Sequence, residues 1–267
     1  MVSIPDSATG GGALRGRHAL VTGSTGGIGL AIARHLAAAG CDIALHGLAN
    51  EAEAAPAVAA IAATGVRVQY HQADLADPLA ITAMMARAGA VDILVNNAAT
   101  RHFGAIEDTA PDAWEMDLAV NLSAAFHTIR LALPGMRRRG FGRIVNMSSI
   151  YGLVGATGRI GYVTTKTALL GLTRAVALEA AASGITCNAL CPGSTLTPNI
   201  EGRIAAIMAE AGIGNDAATA RFLAGKQPTG RFVEADAIAA MVAFLCGPAA
   251  RDITGAALPM DGGWSAA

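Results

Sequence analysis

Six short runs rich in β-branched and apolar residues recur along the chain: HALVT (18–22), CDIAL (41–45), VRVQY (66–70), DILVN (92–96), RIVNM (143–147) and ITCNAL (185–190). Between them lie Ala- and Leu-rich stretches long enough to be helices. This alternation is the strongest constraint on the fold. A continuous apolar strand is buried on both faces, and strands separated by helices pair in parallel through right-handed crossovers. The expectation is a single doubly wound parallel sheet flanked by helices. A chain of 267 residues can build one large core, and no repeat or linker marks a second unit. Residues 17–267 are therefore expected to form one domain. Residues 1–16, MVSIPDSATGGGALRG, lack a basic start followed by an apolar core and are expected to be a flexible arm rather than a signal peptide. Residues 194–230 are too long for a simple connection and are expected to form a helical lid.

Charge and cysteine usage exclude several classes of partner. With a net charge of −1 and 15% charged residues, neither nucleic acid nor an anionic membrane surface is an expected partner. No uncharged apolar run approaches the roughly 18 residues of a membrane span, so a cytoplasmic protein is expected. The four cysteines show no C-x-x-C spacing and the six histidines no cluster, so no metal site is expected and the thiols should be free and buried.

The first apolar run leads directly into TGSTGGIG (22–29) and then into the helical pattern LAIARHLAAAG. Glycines there permit a tight turn and close backbone approach, and a helix N-terminus supplies N–H groups and partial positive charge for a pyrophosphate. The spacing is G-x-x-x-G-x-G, and no G-K-[ST] follows, so a dinucleotide fits better than a nucleoside triphosphate. A second concentration of chemistry is SSIYGLVGATGRIGYVTTK (148–166). Tyr162 and Lys166 stand four apart and share one helix face. A phenol with a reference pKa of about 10 is a poor base at neutral pH unless a nearby cation stabilises its phenolate. Such pairs also arise by chance on helix surfaces, so the pair needs its context.

That context is supplied by Gly23, Gly27, Gly29, NNAA (96–99), Asn121, Ser149 thirteen residues before Tyr162, Lys166, and PG (192–193). Together these resemble the short-chain dehydrogenase/reductase family over residues 17–264. The resemblance implies a Rossmann-type α/β fold and an oxidoreductase that interconverts a hydroxyl and a carbonyl. Tyr162 would be the acid/base, Lys166 would lower its pKa and hold the cofactor ribose, Ser149 would position the reacting oxygen, and Asn121 would hold a water linking Lys166 to solvent. Cofactor contacts would come from Gly23, Thr25, Gly27, Ile28 and Gly29 in the turn, and from Asp74 and Leu75 after the third strand. Asn96 and Ala98 would line the adenine ribose, with Pro192, Gly193 and Thr197 beyond the sixth strand.

Family members that take the phosphorylated cofactor usually offer Arg or Lys in the glycine turn or after the second strand. Here those places read STGG and HGLAN, which favours NAD; His46 is the basic side chain nearest the expected position. Segments such as VTGSTGGIGLAIA, IEDTAPDAW, GFGRIVNMSS, KQP and DGGW resemble the bacterial branch that oxidises D-3-hydroxybutyrate. Where that branch carries Gln, His, Lys, Trp and Gln at its substrate carboxylate, this chain carries Arg101, Tyr151, Arg159, Ser194 and Arg203. Arg159 and Arg203 also coincide with positions where hydroxysulfonate-oxidising members place anion-binding arginines. A small anionic substrate is expected, whether hydroxy acid, hydroxysulfonate or acidic sugar, with Arg101, Tyr151, Arg159 and Arg203 as contacts. The resemblance further implies a homotetramer. An NADPH-dependent 3-oxoacyl-carrier-protein reductase and a dinucleotide sensor without turnover are the alternatives; the complete Ser149, Tyr162 and Lys166 set speaks against the second. Arg137, Arg138 and Arg139 are expected to complement a helix C-terminus.

Overall fold

The structure, a computed structural model, describes residues 12–267. Seven strands pair in parallel: β1 (His18–Val21), β2 (Asp42–Gly47), β3 (Val68–Gln72), β4 (Ile93–Asn96), β5 (Gly142–Met147), β6 (Ile185–Pro192) and β7 (Ala257–Met260). Their order across the sheet is β3-β2-β1-β4-β5-β6-β7. The six apolar runs supply β1 to β6. β7 is an addition to that expectation: it has four residues, one of them Pro259, and so little patterning that only its place at the sheet edge, where proline is tolerated, explains it.

Register explains why the apolar runs are continuous. Leu20, Ala44, Leu94, Ile144 and Cys187 stand side by side across five strands and face one layer, formed by α3 (Pro78–Ala88), α5 (Ala124–Arg139) and α6 (Ile160–Ala180). The next row, Leu45, Val21, Val95 and Val145, faces the other layer, formed by α1 (Gly27–Ala38), α2 (Glu51–Ala62) and α9 (Ala235–Cys246). Both rows are buried, and each large side chain so buried contributes about 1.5–3 kcal/mol.

Local signals set the helix ends. Asn50 and Glu53 form a reciprocal capping box at α2, and Asp77 caps α3 ahead of Pro78. α5 ends on the three arginines and Gly140, whose φ of 63° makes a left-handed cap. Arg137 donates to the Glu179 carbonyl and Arg139 pairs with Asp92 at 2.8 Å, so the basic run serves the helix end and its neighbours. Between α4 (Pro111–Leu118) and α5 the chain makes one π-helical turn, Ala119–Ser123, a distortion that often marks functional sites.

Two regions depart from the sheet-and-helix rhythm. Residues 194–230 hold α7 (Pro198–Ala211) and α8 (Asn215–Leu223), whose Ile204, Ala218, Phe222 and Leu223 form a small core of their own. At the other end, Leu14 is buried against the α1 layer, so the core engages the chain earlier than an arm over residues 1–16 implies; residues 1–11 lie outside the described residues. Among the described residues, no helix is long and apolar enough to cross a membrane. The strand order reverses between β1 and β4, and their carboxyl ends open a crevice there.

Candidate active site

The crevice begins at the glycine turn. Thr22 Oγ1 accepts from the Asn97 and Ala98 amides at 2.9 and 3.0 Å, and Asn97 Nδ2 donates to the Thr22 and Gly23 carbonyls. These bonds stitch the exits of β1 and β4 together. Gly23 has a φ of +61°, and a Cβ at Gly29 would fall on the Gly23 carbonyl oxygen and within 2.6 Å of Asn97 Nδ2, so both positions require glycine. Gly26 precedes α1 without a side-chain cap, which leaves the first-turn N–H groups free for an anion. A turn that only glycine can fill, opening onto uncapped amides at the switch point, fits the pyrophosphate of a dinucleotide.

His46 stands beneath this turn and is fully occupied. Its Nδ1 accepts the Gly23 N–H at 3.0 Å, so Nε2 carries the proton and donates to the Ala73 carbonyl at 3.1 Å. Burial holds its pKa below the usual histidine value, and the ring is a neutral strut for the turn rather than a cation for a phosphate. Thr25 packs against Gly47, and Asp74 Oδ1 accepts the Ala76 N–H in an exposed turn at the end of β3.

The loop after β4 corrects one expectation. Asn96 points away from the crevice into a buried chain in which Thr128 donates to Asn96, Asn96 to Asn146, and Asn146 to Thr173. Alternation of side chains along a strand then puts Asn97 and Ala99 on the crevice in its place. Among the described residues none but glycine has positive φ, so Ala99 sits in this turn without strain.

The candidate reacting groups come from the end of β5 and from α6. Ser149 caps the short turn Ile150–Gly152 by accepting the Tyr151 N–H at 3.2 Å, and Ser148 donates to the Lys166 carbonyl, fixing the β5 exit against α6. Tyr162 and Lys166 lie one turn apart on α6 and are 4% and 2% exposed. The Lys166 ammonium donates to the Met147 carbonyl at 2.7 Å and lies 5.5 Å from the Tyr162 ring centre; the Arg101 guanidinium lies at 4.7 Å. Burial alone pushes the phenol's pKa up, but Lys166 and Arg101, with Ser149 as hydrogen-bond partner, hold it below 10. Burial in turn lowers the pKa of Lys166, against the pull of Tyr162.

Asn121 occupies the π-helical turn. Its Oδ1 accepts the Thr100 N–H at 2.8 Å, and its Nδ2 donates to the Thr100 carbonyl and to Thr165 Oγ1. It hydrogen-bonds to neither Tyr162 nor Lys166; a small void lined by Asn121, Lys166, Ala98 and Leu75 lies beside it and has polar partners for a linking water. Leu75 and Ala98 therefore flank the reacting groups from behind.

One cleft gathers Ile28, Ser149, Tyr151, Arg159, Tyr162, Lys166, Pro192, Gly193, Thr197, Arg101 and Arg203. Tyr151 packs edge-on to Tyr162 and to Trp264, at 6.3 and 5.5 Å between ring centres. Arg159 lies 5.1 Å from the Tyr151 ring and 4.7 Å from Phe103, while Arg203 and Lys226 share the Phe222 ring at 5.1 and 3.9 Å. Sequence reasoning assigned no role to Phe103, Lys226 or Trp264, although KQP and DGGW carried part of the family resemblance. Buried Gln227 was also passed over: its side chain accepts the Ser194 N–H and donates to the Arg231 carbonyl, bracing the lid's first residue. The four cysteines are buried and free, and burial raises every thiol's pKa, Cys191 to about 11 and Cys41 and Cys187 to about 12.

A dinucleotide cradle at the switch point, with a buried phenol and ammonium across the crevice, defines a nicotinamide-dinucleotide oxidoreductase that acts on CH–OH groups. The chain belongs to the short-chain dehydrogenase family, whose pattern matches residues 17–207. It is 46% identical over 257 residues to a D-beta-hydroxybutyrate dehydrogenase of Cupriavidus necator, covering 95% of this chain and 99% of that one. It is 37% identical over 257 residues to a 2-(R)-hydroxypropyl-CoM dehydrogenase of Xanthobacter autotrophicus, covering 94% and 99%. Among solved structures, an actinorhodin polyketide ketoreductase with NADPH superimposes with a TM-score of 0.85 at 34% identity, covering 93% of this chain and 97% of that one.

Proposed function

We propose that the protein is an NAD-dependent dehydrogenase of a small anionic hydroxy compound, a 3-hydroxybutyrate-like hydroxy acid, a hydroxysulfonate or an acidic sugar. The observation that carries this reading is the set of guanidinium groups of Arg101, Arg159 and Arg203 around the cleft that holds Tyr162. A likeness to dehydrogenases named for D-beta-hydroxybutyrate and for 2-(R)-hydroxypropyl-CoM supports it.

Bound nicotinamide supplies the hydride acceptor or donor. Ser149 holds the reacting oxygen beside Tyr162, which takes the hydroxyl proton in oxidation and returns it in reduction. Lys166 stabilises the phenolate, and the void toward Asn121 gives the proton a path outward. Arg159 and Arg203 grip the substrate's charged end as a fork, and α7 and α8 act as a lid over it. NAD is favoured because no Lys or Arg stands in residues 22–29 or 46–50 and both His46 nitrogens are engaged. The chain is expected to work as a homotetramer in the reducing cytoplasm, in keeping with its free thiols.

The test is an NADH-forming screen over hydroxycarboxylates, hydroxysulfonates and sugar acids, each paired with a neutral analogue. A charged substrate should exceed its neutral partner in kcat/KM, and NAD should exceed NADP by at least about tenfold, or 1.4 kcal/mol. Equal rates on neutral alcohols would overturn the substrate class. A preference for NADPH and carrier-bound 3-oxoacyl groups would point to the reductase reading, and cofactor binding without turnover to the sensor.

A further inference from the structure

Residues 97–103 follow β4 along the cleft, and their side chains alternate. Asn97, Ala99, Arg101 and Phe103 line the cleft, whereas Ala98 borders the void behind it and Thr100 and His102 turn back onto α4. A slip of one residue would exchange the two sets and carry Arg101 away from Tyr162. Two side chains hold the register from behind. Asn121 accepts the Thr100 N–H and donates to the Thr100 carbonyl, which pins the backbone. Asp117, 1% exposed on the last turn of α4, takes the side chains: its Oδ1 accepts from Thr100 Oγ1 at 2.7 Å and pairs with His102 Nδ1 at 2.9 Å. A carboxylate only accepts, so the imidazole donates here through Nδ1. The two donors flank Arg101 in sequence, and the guanidinium between them faces the other way, 4.7 Å from the Tyr162 ring centre.

The second oxygen of Asp117 faces α6. A Cβ at Gly161 would lie 2.4 Å from Oδ2, so the residue before Tyr162 has room for nothing larger than glycine. Arg159, at the N-cap of that helix, offers no side-chain cap, and the partial positive charge of a first helical turn favours a carboxylate beside it. The Gly104 N–H, donating to the Gly158 carbonyl at 3.3 Å, ties the far end of the segment to the same place. A buried carboxylate is costly without partners, and Asp117 does not line the cleft, so its partners are these segments and not the substrate.

We propose that Asp117 is a positioning residue: by holding Thr100 and His102 behind the segment and packing on Gly161, it keeps the Arg101 guanidinium against the Tyr162 phenol. This rests on the reading of Tyr162 as the acid/base and adds a residue that works through Arg101. The direction of its effect separates positioning from a plain electrostatic influence. Burial pushes the phenol's pKa up, and Lys166, Arg101 and Ser149 hold it down. Removing a nearby negative charge would by itself lower that pKa further, whereas freeing Arg101 raises it.

The experiment follows tyrosinate absorbance of the full-length protein through an alkaline titration, with Tyr162→Phe as the blank so that Tyr70 and Tyr151 cancel. In wild type the Tyr162 step should come below the usual tyrosine value, and Arg101→Met should move it to higher pH. Asp117→Ala should also move it to higher pH, and adding Arg101→Met to that variant should move it no further, since both changes act through one group. His102→Ala removes one of the two donors at a side chain that is 41% exposed, with little risk to the fold, and should move the step the same way by less. A step that stays in place or moves to lower pH in Asp117→Ala, or in His102→Ala where the first does not fold, overturns the positioning role and leaves Tyr162 as the base. A wild-type step at or above the usual tyrosine value removes the base reading, and this inference with it.

Discussion

At the scale of single residues, the proposed chemistry depends on how Tyr162 is made a base. On that proposal its phenolate is the form that accepts the substrate proton, so kcat/KM for oxidation should rise with pH through the phenol's pKa, which Lys166 and Arg101 hold below the usual tyrosine value. Reduction needs the protonated phenol and should fall through the same pH. Arg101→Met removes one stabilising charge and should move both limbs to higher pH; a profile identical to wild type would show that Arg101 does not act on the phenol. Tyr162→Phe should abolish turnover while NADH titration shows nearly unchanged affinity, because only the proton carrier is lost. At the substrate end, Arg159→Ala and Arg203→Ala should each lower kcat/KM on the best anion by about tenfold to a hundredfold, the range for hydrogen bonds to charged groups of roughly 1.5–3 kcal/mol. Full activity in both variants would make these arginines surface charges. Ser149, Tyr162 and Lys166 were legible as a group because their spacing puts them on one turn and one helix, and the structure brings them to one cleft. Asn96 was misread because NN offers two asparagines and only the strand's alternation decides which one faces inward. Lys226 and Trp264 were missed because a lone charge or indole far along the chain carries no local pattern.

At the scale of elements, the turn from β1 to α1 is the piece whose geometry the sequence most tightly specifies. Gly29 cannot take a side chain without displacing the Gly23 carbonyl and Asn97, which also hold β4 in place. Gly29→Ala should therefore cost about 1–3 kcal/mol, as overpacking does, and lower Tm by several degrees in a thermal melt. Gly26→Ala meets nothing within 4 Å at an extended backbone, and its melt should match wild type. A loss of stability in Gly26→Ala equal to that in Gly29→Ala would show that chain stiffness, not the close approach, governs the turn. β1, β2, β4, β5 and β6 were legible because both their faces are buried, whereas β3, partly exposed at the sheet edge, was legible from the β-branched run VRVQY. β7 was not, since a four-residue edge strand containing proline has no periodicity to read. The π-helical turn at Asn121 was equally hidden: AVNLS reads as ordinary helix, and the Asn121 hydrogen bonds to the Thr100 backbone that accompany the extra residue are long-range contacts.

At the scale of the whole molecule, the described chain leaves an apolar groove that its own layers do not cover. α5 and α6 lie side by side on the outside of the sheet, and Phe126, Leu133, Leu172 and Val176 line a groove between them, with Arg130, Arg137 and Glu179 along it. Phe126 is 48% exposed, an unusual state for so large a ring unless another surface covers it. Both signs of charge lie along the groove, so a second copy of the chain can meet it about a two-fold axis with its own arginines opposite Glu179. That pairing would bring two copies of α6, the helix carrying Tyr162 and Lys166, against one another and stiffen the base of each active site. A two-fold contact of this kind gives a dimer, and the proposed homotetramer needs a second one; light scattering on the purified protein should give four chain masses on that proposal, and Phe126→Glu, which places a carboxylate in the groove's apolar middle, should give a smaller assembly. Activity per chain should fall with it, because α6 loses its support while Tyr162 and the cleft residues remain unchanged. A wild-type mass of one chain would remove the tetramer. An unchanged tetramer in Phe126→Glu would place the contact on another face of the molecule.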